Sequence, residues 1–392
     1  MRRALLVVSC FGGLCASALL GSAPAGCSDT PTSVNDDDAA IPTPPPAEGG
    51  VDAGDAGVVP RGARVLGLGV AIGDTDFQAS VRTARDAGAE TTNLSFGWDD
   101  VERAYDAGAL DASDDASPTQ LFNPLLHVAN LVLPDEWMGA TVTLDAFDAF
   151  GSRAPAELST RPLDDADLAT RYGRLTDYAL DQMPDVSVTA LFVASSADVP
   201  LGDDPAKHAA FATFVTRAVA HVHAVRPKIK VGFVVTASGA ASAKARFAAA
   251  WASSDVIGVV YVPVDAAAQV RPAASVAGDL DQLVADLPPG KPIILREVGY
   301  PTAPECGSNE AAQAAFVSAA FGSWDRHAGR VSVMTFRELT DLEPGEAAAL
   351  ATRAGRSDPA FLGLLGSLGL RSGSREKPGL AALIREGRAR GF

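Results

Sequence analysis

At 392 residues, with 47% hydrophobic side chains, the chain carries enough apolar material for a large buried core, which excludes a wholly disordered protein. A formal net charge of −16, with no cluster of Lys or Arg to relieve it, argues against nucleic acid as a partner and against charge-driven adhesion to an anionic membrane. The length fits two average domains, or one α/β barrel of roughly 250 residues or more.

In chain order, Met1-Arg2-Arg3 is a short positive start, and residues 4–20 are apolar and rich in small side chains, the pattern of an export signal. Ala25-Gly26-Cys27 resembles the end of a bacterial lipobox, in which the signal is cut just before a Cys that becomes lipid-modified; Pro24 stands where an aliphatic residue is usual. The resemblance implies an exported lipoprotein of the bacterial cell envelope, with residues 1–26 removed, Cys27 lipidated and the membrane reached through that anchor alone. Losing Arg2 and Arg3 takes the net charge to about −18. Cys10 and Cys15 leave with the signal, so Cys27 and Cys306 remain and no disulfide framework is available. A single Cys27–Cys306 bridge is the alternative, but Cys27 opens a flexible tether and such a bridge constrains little.

Residues 27–60 are rich in Asp, Pro, Ala and Gly, with Pro42-Thr43-Pro44-Pro45-Pro46 as their stiffest part, and cannot bury a core; they read as a disordered spacer. From 61 to 392 short β-rich runs alternate with Ala-rich stretches of helical length. The strands are expected at 65–70, 92–96, 140–144, 188–193, 230–235, 256–262, 292–295 and 331–336. Helices are expected at 77–87, 168–182, 206–224, 241–250, 276–287, 310–324 and 379–387. Eight alternations favour a single closed (β/α)8 TIM barrel over an open doubly wound sheet, and the glycines of Gly67-Leu68-Gly69-Val70-Ala71-Ile72-Gly73 are a weak dinucleotide signal. The long region 97–138, with an acidic excursion at 107–115, reads as a surface loop.

The densest constellation is Lys291-Pro292-Ile293-Ile294-Leu295-Arg296-Glu297-Val298-Gly299-Tyr300-Pro301. An apolar strand running straight into Glu297 places that carboxylate at the mouth of a barrel. The run resembles the seventh strand of the clan A retaining glycoside hydrolases, particularly endo-galactanase-like barrels, whose Glu here is the nucleophile. The continuation through Glu305, Gly307, Ser308, Glu310, Gln313 and Phe316 is also similar, as are Ser254–Tyr261 for the sixth strand, Phe96-Gly97-Trp98-Asp99, and Asp145 after the third. The resemblance implies Glu297 as nucleophile and a carbohydrate ligand, with Trp98, Asp145, Ser196, Tyr261 and Tyr300 as substrate-binding positions. Trp98 and Tyr261 are at strand ends where a ring stacks on a pyranose, or else they are core aromatics; Trp324 reads as packing.

A retaining glycosidase needs a second carboxyl about 5–5.5 Å from the first. In the family this is a Glu preceded by Asn at the end of the fourth strand, and those two positions fall on Ser195 and Ser196. A hydroxyl cannot act as an acid near neutrality. Asp198 is the best substitute, being one strand repeat away, with Glu338 and Asp341 after the eighth strand as others. Three readings stay open: a degenerate barrel that binds a carbohydrate or a partner, a retaining hydrolase using Glu297 with Asp198 as acid/base, and an unrelated barrel with no carbohydrate role. The five histidines have no metal-ligand spacing, no cofactor is implied, and a monomer is expected.

Overall fold

A computed structural model describes residues 58–72, 76–103 and 124–392. The leader, Cys27, nearly all of the spacer and the acidic excursion lie outside the described residues.

Eight parallel strands close into a barrel in the order 1-8-7-6-5-4-3-2. They are β1 Val65–Leu68, β2 Thr91–Gly97, β3 Gly139–Asp145, β4 Val188–Phe192, β5 Lys230–Thr236, β6 Val256–Tyr261, β7 Ile293–Val298 and β8 Val331–Phe336. The closing seam pairs Val65 with Val333 and Leu68 with Phe336. Strand β6 shows why the runs read as nearly continuous apolar sequence: all six of its residues are buried, outward ones beneath helices and inward ones inside the barrel.

One long helix follows each strand: α1 Phe77–Asp86, α2 Pro124–Asp135, α3 Ala166–Asp181, α4 Pro205–Val225, α5 Lys244–Ser253, α6 Val276–Asp286, α7 Glu310–Arg326 and α8 Pro378–Arg390. Their starts are written in local chemistry. The side chains of Asp76, Asp165, Asp204 and Asn309 each accept from a backbone N–H of the first turn, and Pro205 and Pro378 open their helices where no N–H is missed. The expected helix 241–250 is in fact two, Ala237–Ser242 and α5, separated at Ala243; Thr236 caps the first with its hydroxyl.

The barrel interior is divided. Ala190, Phe192, Val234, Val256, Val260, Ile294 and Val333 fill it on the side of β4 to β8, and Phe192 needs the space of Gly258, where a Cβ would meet the ring at 2.7 Å. On the other side the interior is polar: Thr141 Oγ1 donates to Asn93 Oδ1, and Asn93 Nδ2 donates across to the carbonyl of Arg296 on β7. That carbonyl is reachable because β7 is irregular. Val259 and Val260 of β6 pair with Leu295 and Glu297, and Met334 and Phe336 of β8 pair with Leu295 and Val298, which leaves one extra residue in β7 around Arg296. Such a bulge re-aims side chains, and here it falls on the two charged residues of the strand.

Candidate active site

The carboxyl ends of the strands bring Asp145, Ser195, Ser196, Arg296, Glu297 and Arg337 to one end of the barrel, all of them buried. Glu297 sits one residue before the end of β7, where the strand is expected to hold it. Its Oε1 accepts from Arg296 Nη1 at 2.6 Å, and its Oε2 lies 3.1 Å from Arg337 Nη1. Burial pushes the Glu297 carboxyl up to about 7, with Arg337 pulling it back. Arg296, fully buried, is pulled down to about 10 by the same loss of water, and its other arm donates to Ser95 Oγ and to the Leu94 carbonyl. For Arg337 burial also opposes the charge, but Glu297 and Glu338 outweigh it and hold the guanidinium above its ordinary range.

Asp145 closes β3 and accepts a 2.6 Å hydrogen bond from Ser195 Oγ. Burial pushes it up to about 7; the Ser195 hydrogen bond and the charge of Arg296 work against that. Ser196, at the position of the expected acid, is wholly buried and has φ +49°, a left-handed backbone that costs a non-glycine residue about 1 kcal/mol. Asp198 opens a four-residue helix, and its two oxygens accept the N–H and the hydroxyl of Thr236 at 2.8 and 2.7 Å, which binds it to the end of β5. Burial raises its carboxyl as well.

A second ionic group covers the ends of β2 and β3. Arg153 pairs with Asp99, Asp100 and Asp148, and Asp148 also pairs with Arg353. Gly97 makes room for it, since a Cβ there would collide with the Arg153 guanidinium. Among the described residues no group of three or more His, Cys, Asp or Glu is placed to hold a metal ion.

The three aromatic candidates are not gathered at the mouth. Trp98 is fully buried, its indole N–H on Glu102 and its ring edge-on to Tyr172 of α3. Tyr261 is buried too, with its hydroxyl donating to Asp279 of α6 at 2.7 Å. Tyr300 donates to the Arg271 carbonyl and stacks on Phe316 of α7. All three rings pack among the helices that surround the barrel, and Trp324 packs as expected. The residues overlooked in the sequence are Arg296, Arg337, Ser95 and Arg153. For the two arginines on Glu297 a signal was present: the doublets Arg296-Glu297 and Arg337-Glu338 end two apolar runs that become neighbouring strands.

No protein-family model and no curated protein sequence matches the chain. Solved structures do. A family 5 glycoside hydrolase from Streptomyces cattleya, in complex with Manβ1-4GlcNAc, superposes with a TM-score of 0.61 at 16% identity, over 83% of this chain and 80% of that one. An exo-β-1,4-mannosidase from Opitutaceae bacterium strain TAV5 gives 0.59 at 15% identity; the match covers 83% of this chain but only 59% of the mannosidase. A family 39 glycoside hydrolase from Bacteroides cellulosilyticus WH2 gives 0.55 at 13%, over 84% and 64% of the two chains. The body of this protein therefore has the (β/α)8 barrel fold of the clan A glycoside hydrolases.

Proposed function

We propose that the barrel binds a glycan at its carboxyl-terminal mouth without hydrolysing it, and that a lipid on Cys27 holds it at the bacterial cell envelope. The loss of hydrolysis rests on the state of the two catalytic positions, and glycan binding on the barrel shared with glycoside hydrolases, one of them in complex with Manβ1-4GlcNAc. Where an acid is required stand Ser195, spent on Asp145, and Ser196, and the nucleophile position is occupied by a carboxyl held between two guanidinium groups. Protonating a leaving group supplies about 10²–10⁴-fold in rate, and nucleophilic attack needs an oxygen that can reach an anomeric carbon.

A second reading, a slow retaining hydrolase with Glu297 as nucleophile, draws on Asp145 and Asp198, two further buried carboxyls that burial keeps protonated above the usual range. The two readings separate in one assay. The purified protein is titrated with a glycan panel beginning with Manβ1-4GlcNAc, the ligand of a structural neighbour, while release of reducing sugar and turnover of aryl glycosides are followed. Saturable binding with no release is expected. Robust turnover of an unactivated oligosaccharide that disappears in Glu297→Gln defeats the proposal, and loss of that turnover in Asp198→Asn identifies the acid.

The anchor is tested separately. A clickable fatty acid fed to expressing cells is expected to label the wild type and not Cys27→Ala; label retained by the variant rejects lipidation at that residue.

A further inference from the structure

Beside the barrel mouth, touching the segments after β2 and β4 and running along the segment after β3, lies a cavity of about 480 Å³. It is bounded by that segment, by the first turns of α3 and α4, and by the loop after β4; Asp145, Ser195, Ser196 and Glu297 are not among its lining residues. Its buried wall is apolar: Trp98, Phe147, Leu158, Leu168 and Leu201, with half-buried Leu163 beside them. The polar residues that touch it, Ser152, Ser159, Arg161, Asp164 and Lys207, are all exposed and so form its rim.

The wall is held in place before any ligand arrives. The Trp98 indole is fixed by its 2.8 Å hydrogen bond to Glu102, which Arg171 in turn holds at 3.0 Å, and Phe147 packs edge-on against Phe211 at 5.2 Å. At the rim Arg161 is paired with Asp165 and Asp167, while Lys207, which reaches the Pro200 carbonyl at 3.4 Å, and Asp164 are exposed and keep their charges in water, away from the apolar wall. Preformed apolar concavities of roughly 300–1,000 Å³ with polar groups confined to the edge are the usual form of small-molecule sites. A sugar is a poor occupant, because hydroxyls pressed on this wall would lose water and find no partner.

We propose that this cavity is a second binding site, for an uncharged apolar or aromatic small molecule. The test uses the full chain and the uncharged fluorophore N-phenyl-1-naphthylamine. Saturable one-site binding is expected, and Ala210→Trp, which puts an indole on the lining face of α4, weakens it by about tenfold or more. Ala209→Trp, on the exposed neighbouring position that does not line the cavity, leaves it unchanged. Leu163→Gln gives a second route to the same loss should Ala210→Trp fail to fold, with circular dichroism checking both. Absence of saturable binding, equal weakening by the two Trp variants, or displacement of the fluorophore by Manβ1-4GlcNAc overturns the proposal. Binding of that disaccharide at the mouth is read in its own titration, so failure of either site leaves the other standing.

Discussion

Replacing Asp325 by Ala is expected to destabilise the barrel by about 3–5 kcal/mol, the cost of removing one partner from a fully desolvated ion group. Asp325, in the last turn of α7, accepts from Arg64 Nη1 at 2.8 Å and from Arg390 Nη2 at 2.7 Å and Nε at 3.0 Å. All three side chains are at most 4% exposed, so the variant leaves two buried guanidinium groups facing each other, with Glu386, on Arg390, as the remaining counter-charge. The place matters as much as the charge. Arg64 directly precedes β1 and Arg390 ends α8, so this one carboxylate ties the first strand to the last helix where the ring of βα units closes. Neighbouring contacts run the same way: Arg61 N donates to the Arg390 carbonyl, and Arg64 lies 4.8 Å from the centre of the Trp324 ring. Asp325→Asn, which keeps an acceptor, should lose less. The triple replacement Arg64→Met, Asp325→Leu, Arg390→Met should recover most of the loss, because apolar side chains of similar volume carry no desolvation penalty. Denaturant midpoints with their slopes decide the matter, and a loss below about 1 kcal/mol for Asp325→Ala would mean that water reaches the cluster.

The barrel was legible in the sequence because its eight apolar runs and, among the described residues, seven of the eight long outer helices carry their own periodicity, and four of those helices a side-chain cap. The eighth, α2, lies within a stretch read as loop: it opens with Pro124, includes Pro134, and has apolar residues on several sides, as its exposed Leu131 beside buried Leu126 and Leu133 records. Glu297 was legible too, since an apolar strand that ends in a carboxylate fixes that carboxylate at the rim. Its surroundings were not. The arginine clamp depends on an extra residue in β7 that turns Arg296 and Glu297 together, and strict alternation along a strand predicts the opposite, one inward and one outward. The aromatics were open to both readings for a related reason. Tyr261 ends its strand, but the last outward position of a barrel strand faces helices, and a sequence does not say which parity points out.

From about pH 4.5 to 7 the folded protein is expected to lose stability as pH rises, and Asp145→Asn and Glu297→Gln should each remove part of that loss. Asp145 moves from an ordinary 3.8 to about 7 and Glu297 from 4.5 to about 7, burial being the main cause in both. In this window the unfolded chain has already released both protons while the folded chain still binds them. The unfolded state therefore binds fewer protons, and the free energy of unfolding falls with rising pH until the folded-state values are passed. Each group can account for up to about 3 kcal/mol across the window, since every tenfold difference in proton affinity between the folded and unfolded chain corresponds to about 1.4 kcal/mol. Carboxyls held low, such as Glu136 beside Arg82, act in the opposite direction and below this range, so they do not mask the effect. Asp198, Glu338 and Asp341, also raised by burial, act in the same direction, and the double variant should keep a reduced slope rather than none. Unfolding titrations of the wild type, the two single variants and the double variant at pH 4.5, 6 and 8 measure each contribution. The variants should compare worst with the wild type at the acid end, where a neutral carboxyl already satisfies the site, and best at pH 8, where they avoid ionising a buried group. Parallel stability curves for all four proteins would mean that both carboxyls titrate as they do in water, so that burial does not outweigh the pull of Arg337 on Glu297 and of Arg296 on Asp145.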